Sequence, residues 1–102
     1  MNRIDALRQV VESLHAEIAA LKRFDVAALA EATDAKQSGL GLIAGPWDAA
    51  DVDDEVRALA QEAQTLNETA RIYVNLMSAN VRSRLETLTG LSAAVYSPRH
   101  AA

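Results

Sequence analysis

The sequence contains no cysteine, only two prolines in 102 residues, and 4% aromatic residues. Without cysteine there are no disulfides, no cysteine-ligated metal and no thiol chemistry, a composition that suits a reducing cytoplasm. No apolar run approaches the roughly 18 residues that a membrane span requires, and the first residues do not resemble a signal peptide. Basic residues form no cluster typical of nucleic-acid binding. We therefore expect a cytoplasmic protein that neither inserts into a membrane nor binds nucleic acid.

The sequence does contain apolar residues at helical spacing, in two long stretches. Steps of three and four residues place them on one face of a helix, and neither stretch shows the alternation of a strand. The first stretch contains Ile4, Leu7, Val11, Leu14, Ile18 and Leu21. The second contains Val52, Val56, Leu59, Ala63, Leu66, Ala70, Tyr73 and Met77. The sequence therefore predicts an all-α fold in a single domain, residues 1–102.

Residues that start and stop helices divide this domain into segments. Asn2 is a predicted N-cap, and the glycines from Gly39 to Gly45, followed by Pro46, predict the end of the first helix. The predicted segments are helix one at about residues 3–38, an elbow at about 39–48, helix two at about 49–89, and a tail at 90–102.

The acidic residues at 48–55 coincide with the predicted start of helix two. Carboxylates are favourable there because they face the positive end of the helix dipole. Asp48 is the predicted N-cap, and Trp47 and Val52 bracket it as a hydrophobic staple. This cluster is therefore interpreted as helix initiation, not as a metal site.

A short elbow between two helices of about 38 residues predicts an antiparallel hairpin of two long helices. Two such helices cannot bury stripes of this length alone, so we expect dimerisation or a partner helix to complete the core. The strict repeat would place Asp25 on the stripe of helix one, so the apolar pattern must shift through Phe24 and Ala28 to Leu29. In helix two the apolar line moves to Val81, Leu85 and Leu88, which makes residues 73–91 a candidate docking surface.

Catalytic patterns are weak in this sequence. His15 and His100 have no second ligand or carboxylate at useful spacing, so neither predicts a metal or acid–base site. The start of the chain, residues 4–8, loosely resembles the all-helical chorismate mutases, which bind a dianionic substrate. Arg8, Arg23 and Lys36 are the available basic groups in helix one, too few for such a site. We expect no enzyme activity, cofactor or metal, and a chorismate-mutase-like enzyme is the remote alternative.

A second resemblance covers roughly residues 10–97. The segment at residues 17–21, the Phe24-Asp25 step and the later Lys36 resemble the first-helix pattern of the FlgN-type flagellar export chaperones. Residues 75–88 and the following Tyr96 are similar to the family's second helix and its tyrosine-bearing tail. Further matching positions are Ala28, Leu29, Leu40 and Ile43.

The resemblance implies a chaperone that binds the C-terminal helical segments of the hook–filament junction proteins and delivers them to the flagellar export gate. It implies that Tyr96 contacts the cytoplasmic domain of that gate. A groove that binds a client helix needs apolar anchor residues at helical spacing. The predicted client-binding groove consists of Tyr73, Met77, Val81, Leu85 and Leu88. The alternative from the same stripe is a homodimeric helical bundle whose task is assembly.

Overall fold

The computed structural model describes residues 2–89 of the chain. Within them, the three α-helices are α1 at Arg3–Arg23, α2 at Val26–Ile43 and α3 at Asp54–Thr89, with a 3-10 helix at Ala49–Asp51 and no strand. α1 and α2 pack against each other as an antiparallel hairpin. The predicted all-α fold with a helical hairpin is therefore confirmed. The hairpin forms within the predicted helix one, however, and not between two long helices joined at residues 39–48. The predicted tail at 90–102 lies outside the described residues.

The predicted first helix at residues 3–38 is wrong in its extent, because the chain breaks after Arg23. Phe24 adopts the left-handed conformation, with φ 57° and ψ 37°. The Asp25 carboxylate then accepts a hydrogen bond from the Ala28 N–H at 3.0 Å and caps α2. This N–H, and next the Arg23 guanidinium, lower the pKa of Asp25 below its ordinary value. The aspartate that interrupts the apolar stripe therefore starts a new helix.

The predicted end of the helix at residue 38 is also wrong, since α2 continues through Gly39 and Gly41 to Ile43. Gly39 is buried against α1, and a Cβ there would lie 2.7 Å from Val10 Cγ2 and 3.1 Å from the Ala6 carbonyl oxygen. Gly39 therefore serves close helix packing instead of helix termination.

A buried ion pair joins α1 to α2. Glu17 on α1 accepts hydrogen bonds from Lys36 Nζ at 3.0 Å and from Thr33 Oγ1 at 2.7 Å. The Glu17 side chain is only 7% exposed and that of Lys36 17%. A carboxylate at this depth is tolerable because both of its oxygens have donors. The pair sets the register of the hairpin, since a shift along either helix would leave a buried charge unpaired.

Arg3 holds the far end of the hairpin. Its guanidinium donates to the backbone carbonyls of residues 43–46 at 2.7 to 3.3 Å, and it lies 4.4 Å from the centre of the Trp47 ring. Trp47 Nε1 donates to the Ile43 carbonyl at 2.9 Å. Arg3 therefore satisfies the carbonyls at the end of α2 and directs the chain toward α3.

The start of α3 differs from the prediction at about residue 49. The Asp53 carboxylate accepts from the Val56 N–H at 2.9 Å, so Asp53 is the cap of α3. Asp48 precedes the 3-10 helix and makes no capping side-chain bond. The proposed staple of Trp47 at this helix start is therefore wrong, because Trp47 instead contacts Arg3. α3 continues to Thr89, the last residue that the structure describes, so the predicted end of helix two stays a prediction.

α3 runs parallel to α1, because α2 has already returned the chain to the start of α1. Arg8 Nη2 lies 2.6 Å from Glu55 Oε1, and His15 Nε2 lies 3.2 Å from Glu62 Oε2, at a constant offset along both helices. Among the described residues, both substantial helix interfaces involve α1. Buried residues number ten on α1 and two each on α2 and α3. α1 is therefore the central helix, with α2 and α3 on either side.

The left-handed turn generates the first prediction. Replacing Phe24 with glycine should raise the free energy of unfolding by about 1 kcal/mol, because glycine adopts positive φ without steric cost. Little burial is lost, since Phe24 is 50% exposed. The matched control Ala30→Gly, on the exposed face of α2, should lower it by about 1 kcal/mol. Thermal unfolding measures the stability of both variants. Destabilisation by Phe24→Gly would contradict the left-handed conformation at residue 24.

The buried ion pair of Glu17 and Lys36 generates the second prediction. Lys36→Met should lower the free energy of unfolding by about 3 kcal/mol, because it leaves the Glu17 carboxylate buried beside Thr33 alone. The double variant Glu17→Met/Lys36→Met should recover most of this loss. As a control, Arg8→Met removes an exposed pair with Glu55 and should cost less than about 1 kcal/mol. Urea unfolding measures these free energies. Equal loss of stability in Lys36→Met and in Glu17→Met/Lys36→Met would contradict the pairing.

Candidate functional site

The apolar stripe of α3 extends beyond the end of α1. Lys22, the second-to-last residue of α1, has its Nζ 5.6 Å from the centre of the Tyr73 ring. Every residue from 78 to 89 is exposed among the described residues. Twelve helical residues span about 18 Å, so more than three turns of α3 project past the hairpin.

The structure divides the predicted client-binding residues into two groups. Tyr73 and Met77 are half-buried and pack against a core cluster of Ile18, Leu21 and Ala70. The other three are exposed, at 45% for Val81, 56% for Leu85 and 80% for Leu88. The first group therefore joins the core, and the second forms a free apolar surface continuous with it.

An open cleft of about 500 Å³ lies where these groups meet. Met77, Val81 and Leu85 of the predicted groove line it, together with five residues outside the predicted site, Leu21, Leu29, Val74, Ser78 and Arg82. Leu29 reaches this cleft only because the chain reverses at Phe24. The apolar periodicity marked Leu29 as a helix-face residue, but nothing local indicated that it would face α3.

A second cleft of about 410 Å³ lies further down the same side of α1. The lining residues of the two clefts share one face on each helix, at helical spacing. On α1 they are Val10, Leu14 and Leu21, on α2 Leu29, Lys36, Gln37 and Leu40, and on α3 Ala63, Gln64, Asn67, Val74, Met77, Ser78, Val81, Arg82 and Leu85. We call this combined surface the open groove. It spans about 33 Å from Ala63 to Leu85, the length of about 22 helical residues.

The open groove carries positive charge in an acidic chain. The sequence has 14 acidic and 10 basic residues. Among the described residues that line the groove, Lys36 and Arg82 are charged and none is acidic. Outside the groove, Arg71 is paired with Glu68, and this contact lowers the pKa of Glu68 and raises that of Arg71. The charged residues that line the groove are therefore both basic, although Lys36 is paired with the buried Glu17 and the net charge of the chain is −4.

The residues considered for catalysis do not converge. His15 forms an exposed pair with Glu62, and Arg8, Arg23 and Lys36 each contact a different carboxylate. Within residues 2–89, no group of three or more His, Asp or Glu residues could hold a metal ion. Tyr96 and His100 lie outside the described residues.

Among the described helices, none is both long enough and apolar enough to cross a membrane. Comparison of the chain with protein-family models, with curated proteins and with solved structures gives no match. The interpretation of the open groove therefore depends on its own geometry.

The division of the stripe predicts different roles for two residues that are eight positions apart. Met77→Asp should lower the free energy of unfolding by about 2 kcal/mol or more, since a charge enters the core. Leu85→Asp should change it by less than about 0.5 kcal/mol, because Leu85 is exposed in the free protein. Circular dichroism during thermal unfolding compares the two variants. Equal destabilisation would mean that Leu85 is covered in solution.

Proposed function

We propose that this protein is a cytoplasmic export chaperone that binds an amphipathic helix in the open groove. The proposed clients are the C-terminal helical segments of flagellar hook–filament junction proteins. The observation that carries the proposal is the groove itself, a helix-length apolar surface between α2 and α3 that α1 does not cover. The client identity is supported by the sequence resemblance to the FlgN-type chaperones.

The dimensions of the groove suit a helix as the ligand. Two helices beside the central α1 leave the position of a fourth helix open, and bundles of four helices pack with short interhelical distances. The lining residues recur at the spacing that interdigitates with helical side chains. Met77 adds an unbranched, polarisable side chain that adapts to differing client surfaces. A helix in this position would cover Val81 and Leu85, which water now contacts.

Delivery is the second part of the proposed function. The resemblance assigns Tyr96 to docking on the cytoplasmic domain of the export gate, and Tyr96 follows the projecting end of α3 in the sequence. A tyrosine offers an apolar ring and a hydroxyl at modest ordering cost. Client binding and gate docking would therefore use separate parts of the chain.

Calorimetry with synthetic C-terminal helical segments of junction proteins tests this function. Leu85→Asp should weaken binding at least about tenfold, because it places a charge against the apolar face of the client. The matched control is Leu76→Asp on the same helix, since Leu76 is 61% exposed and does not line the groove. It should leave the affinity within about twofold of the wild type. Tyr96→Ala should likewise preserve client binding and weaken only binding to the gate domain.

Three results would count against this function. Absence of binding by the wild type would exclude these clients, and equal loss in both leucine variants would exclude the groove. A dimer of the free protein that Leu85→Asp dissociates, seen by sedimentation velocity, would favour the homodimeric bundle instead.

A further inference from the structure

We propose that the open groove selects helices whose apolar face is flanked by acidic residues. This inference rests on the helix-binding part of the proposed function and adds the charge of the ligand. It follows from the placement of Lys36 and Arg82 on opposite walls of a groove that has no acidic lining residue within the described part of the chain.

Arg82 provides a guanidinium at the rim of the projecting part of α3. None of the ion pairs among residues 2–89 includes Arg82. By contrast, Arg57 and Arg71 on the same helix are each paired with an acidic residue three positions earlier. A guanidinium has five donors in a fixed fork that matches a carboxylate. Arg82 is therefore available to a carboxylate on a helix bound against Val81 and Leu85.

Lys36 provides the second cation, on the wall formed by α2. Its ammonium has three donors, and the contact with Glu17 uses one of them. The side chain is 17% exposed and lines the lower part of the groove beside Leu40. Glu17 neutralises part of this charge, so we expect Lys36 to contribute less than Arg82.

The two cations are separated along the groove. Lys36 lies at the level of Glu17, and the α1–α3 offset places Glu17 about 18 residues before Arg82 along α3. This corresponds to about 27 Å, or about five helical turns. A ligand helix that meets both cations must therefore carry acidic residues near both ends of its bound face.

A second copy of this chain fits the groove less well. Its exposed apolar segment, residues 78–89, carries Arg82 and Arg84 against Glu86. If that segment lay in the groove of another copy, its arginines would face Arg82 of that copy. Like charges brought together in this way repel each other. Charge complementarity thus favours an acidic helix from a different protein.

Three designed helical peptides of about 22 residues test the selection. They share one leucine and alanine face, and their flanking positions are all Glu, all Gln or all Lys. Calorimetry at low salt should show the Glu peptide binding about fivefold more tightly than the Gln peptide, and the Lys peptide most weakly. The difference should shrink as salt is raised to about 0.5 M, because exposed charges are screened.

Two variants locate the effect. Arg82→Gln should reduce the advantage of the Glu peptide about threefold while leaving the Gln peptide unchanged. The matched control Arg57→Gln makes the same change in net charge on α3, outside the groove, and should preserve the advantage. The variant Arg82→Glu should shift the preference toward the Lys peptide. Both arginines are exposed, so the fold should persist in all three variants.

The outcomes separate this inference from the proposed function. Equal binding of all three peptides, with loss in Leu85→Asp, would overturn the charge selection and keep the helix-binding groove. Equal effects of Arg82→Gln and Arg57→Gln would also overturn it, since net charge alone would then explain the preference. If no peptide bound, and Leu85→Asp also left client binding unchanged, the helix-binding groove itself would be overturned. A dimer that competes with the Glu peptide would assign the groove to a second copy.

Discussion

The turn at Phe24 and Asp25 is the constraint on which the other features depend. Because the Asp25 carboxylate caps a new helix, the first helical stretch ends after 21 residues and reverses direction. α2 then returns to the start of α1, where Arg3 bonds the carbonyls at 43–46. α3 can only run parallel to α1 from that point, and with 36 residues it extends well past the end of α1. One reversal therefore produces both the hairpin and the projecting apolar segment.

The reversal also changes what the apolar stripes accomplish. α1 buries ten residues because it has a neighbour on two sides, whereas α2 and α3 each keep a face toward the open groove. Burial of apolar area is the main favourable term in folding, so a groove of this length represents stabilisation that the described part of the chain does not obtain. A ligand helix would supply it. The same groove is a cost in the free protein, since exposed lining residues such as Leu85 remain in water.

Charge in this protein sets the register of the hairpin and also borders the groove. Glu17 and Lys36 align α1 with α2 because an unpaired charge at that depth is costly. The same lysine also borders the groove, so the hairpin register and the electrostatic field of the groove depend on one side chain. Arg82 is different, since it is exposed and contributes nothing to the recorded ion pairs of residues 2–89. Its removal should therefore affect recognition without affecting the fold.

The sequence by itself determined the helical class and the apolar stripe that includes Val81 and Leu85. Periodicity is a local property, and it specifies which face of a helix is apolar wherever that helix lies. The break at Phe24 depends on tertiary structure. The local preference for a cap at Asp25 amounts to only about 1 kcal/mol. Whether the helix continues or the chain reverses therefore depends on packing between α1 and α2, such as that of Gly39 against Val10. For the same reason Leu29 was predictable as a helix-face residue but not as part of the groove. Which residues share a surface depends on contacts between segments distant in sequence, and these exist only once the chain has folded.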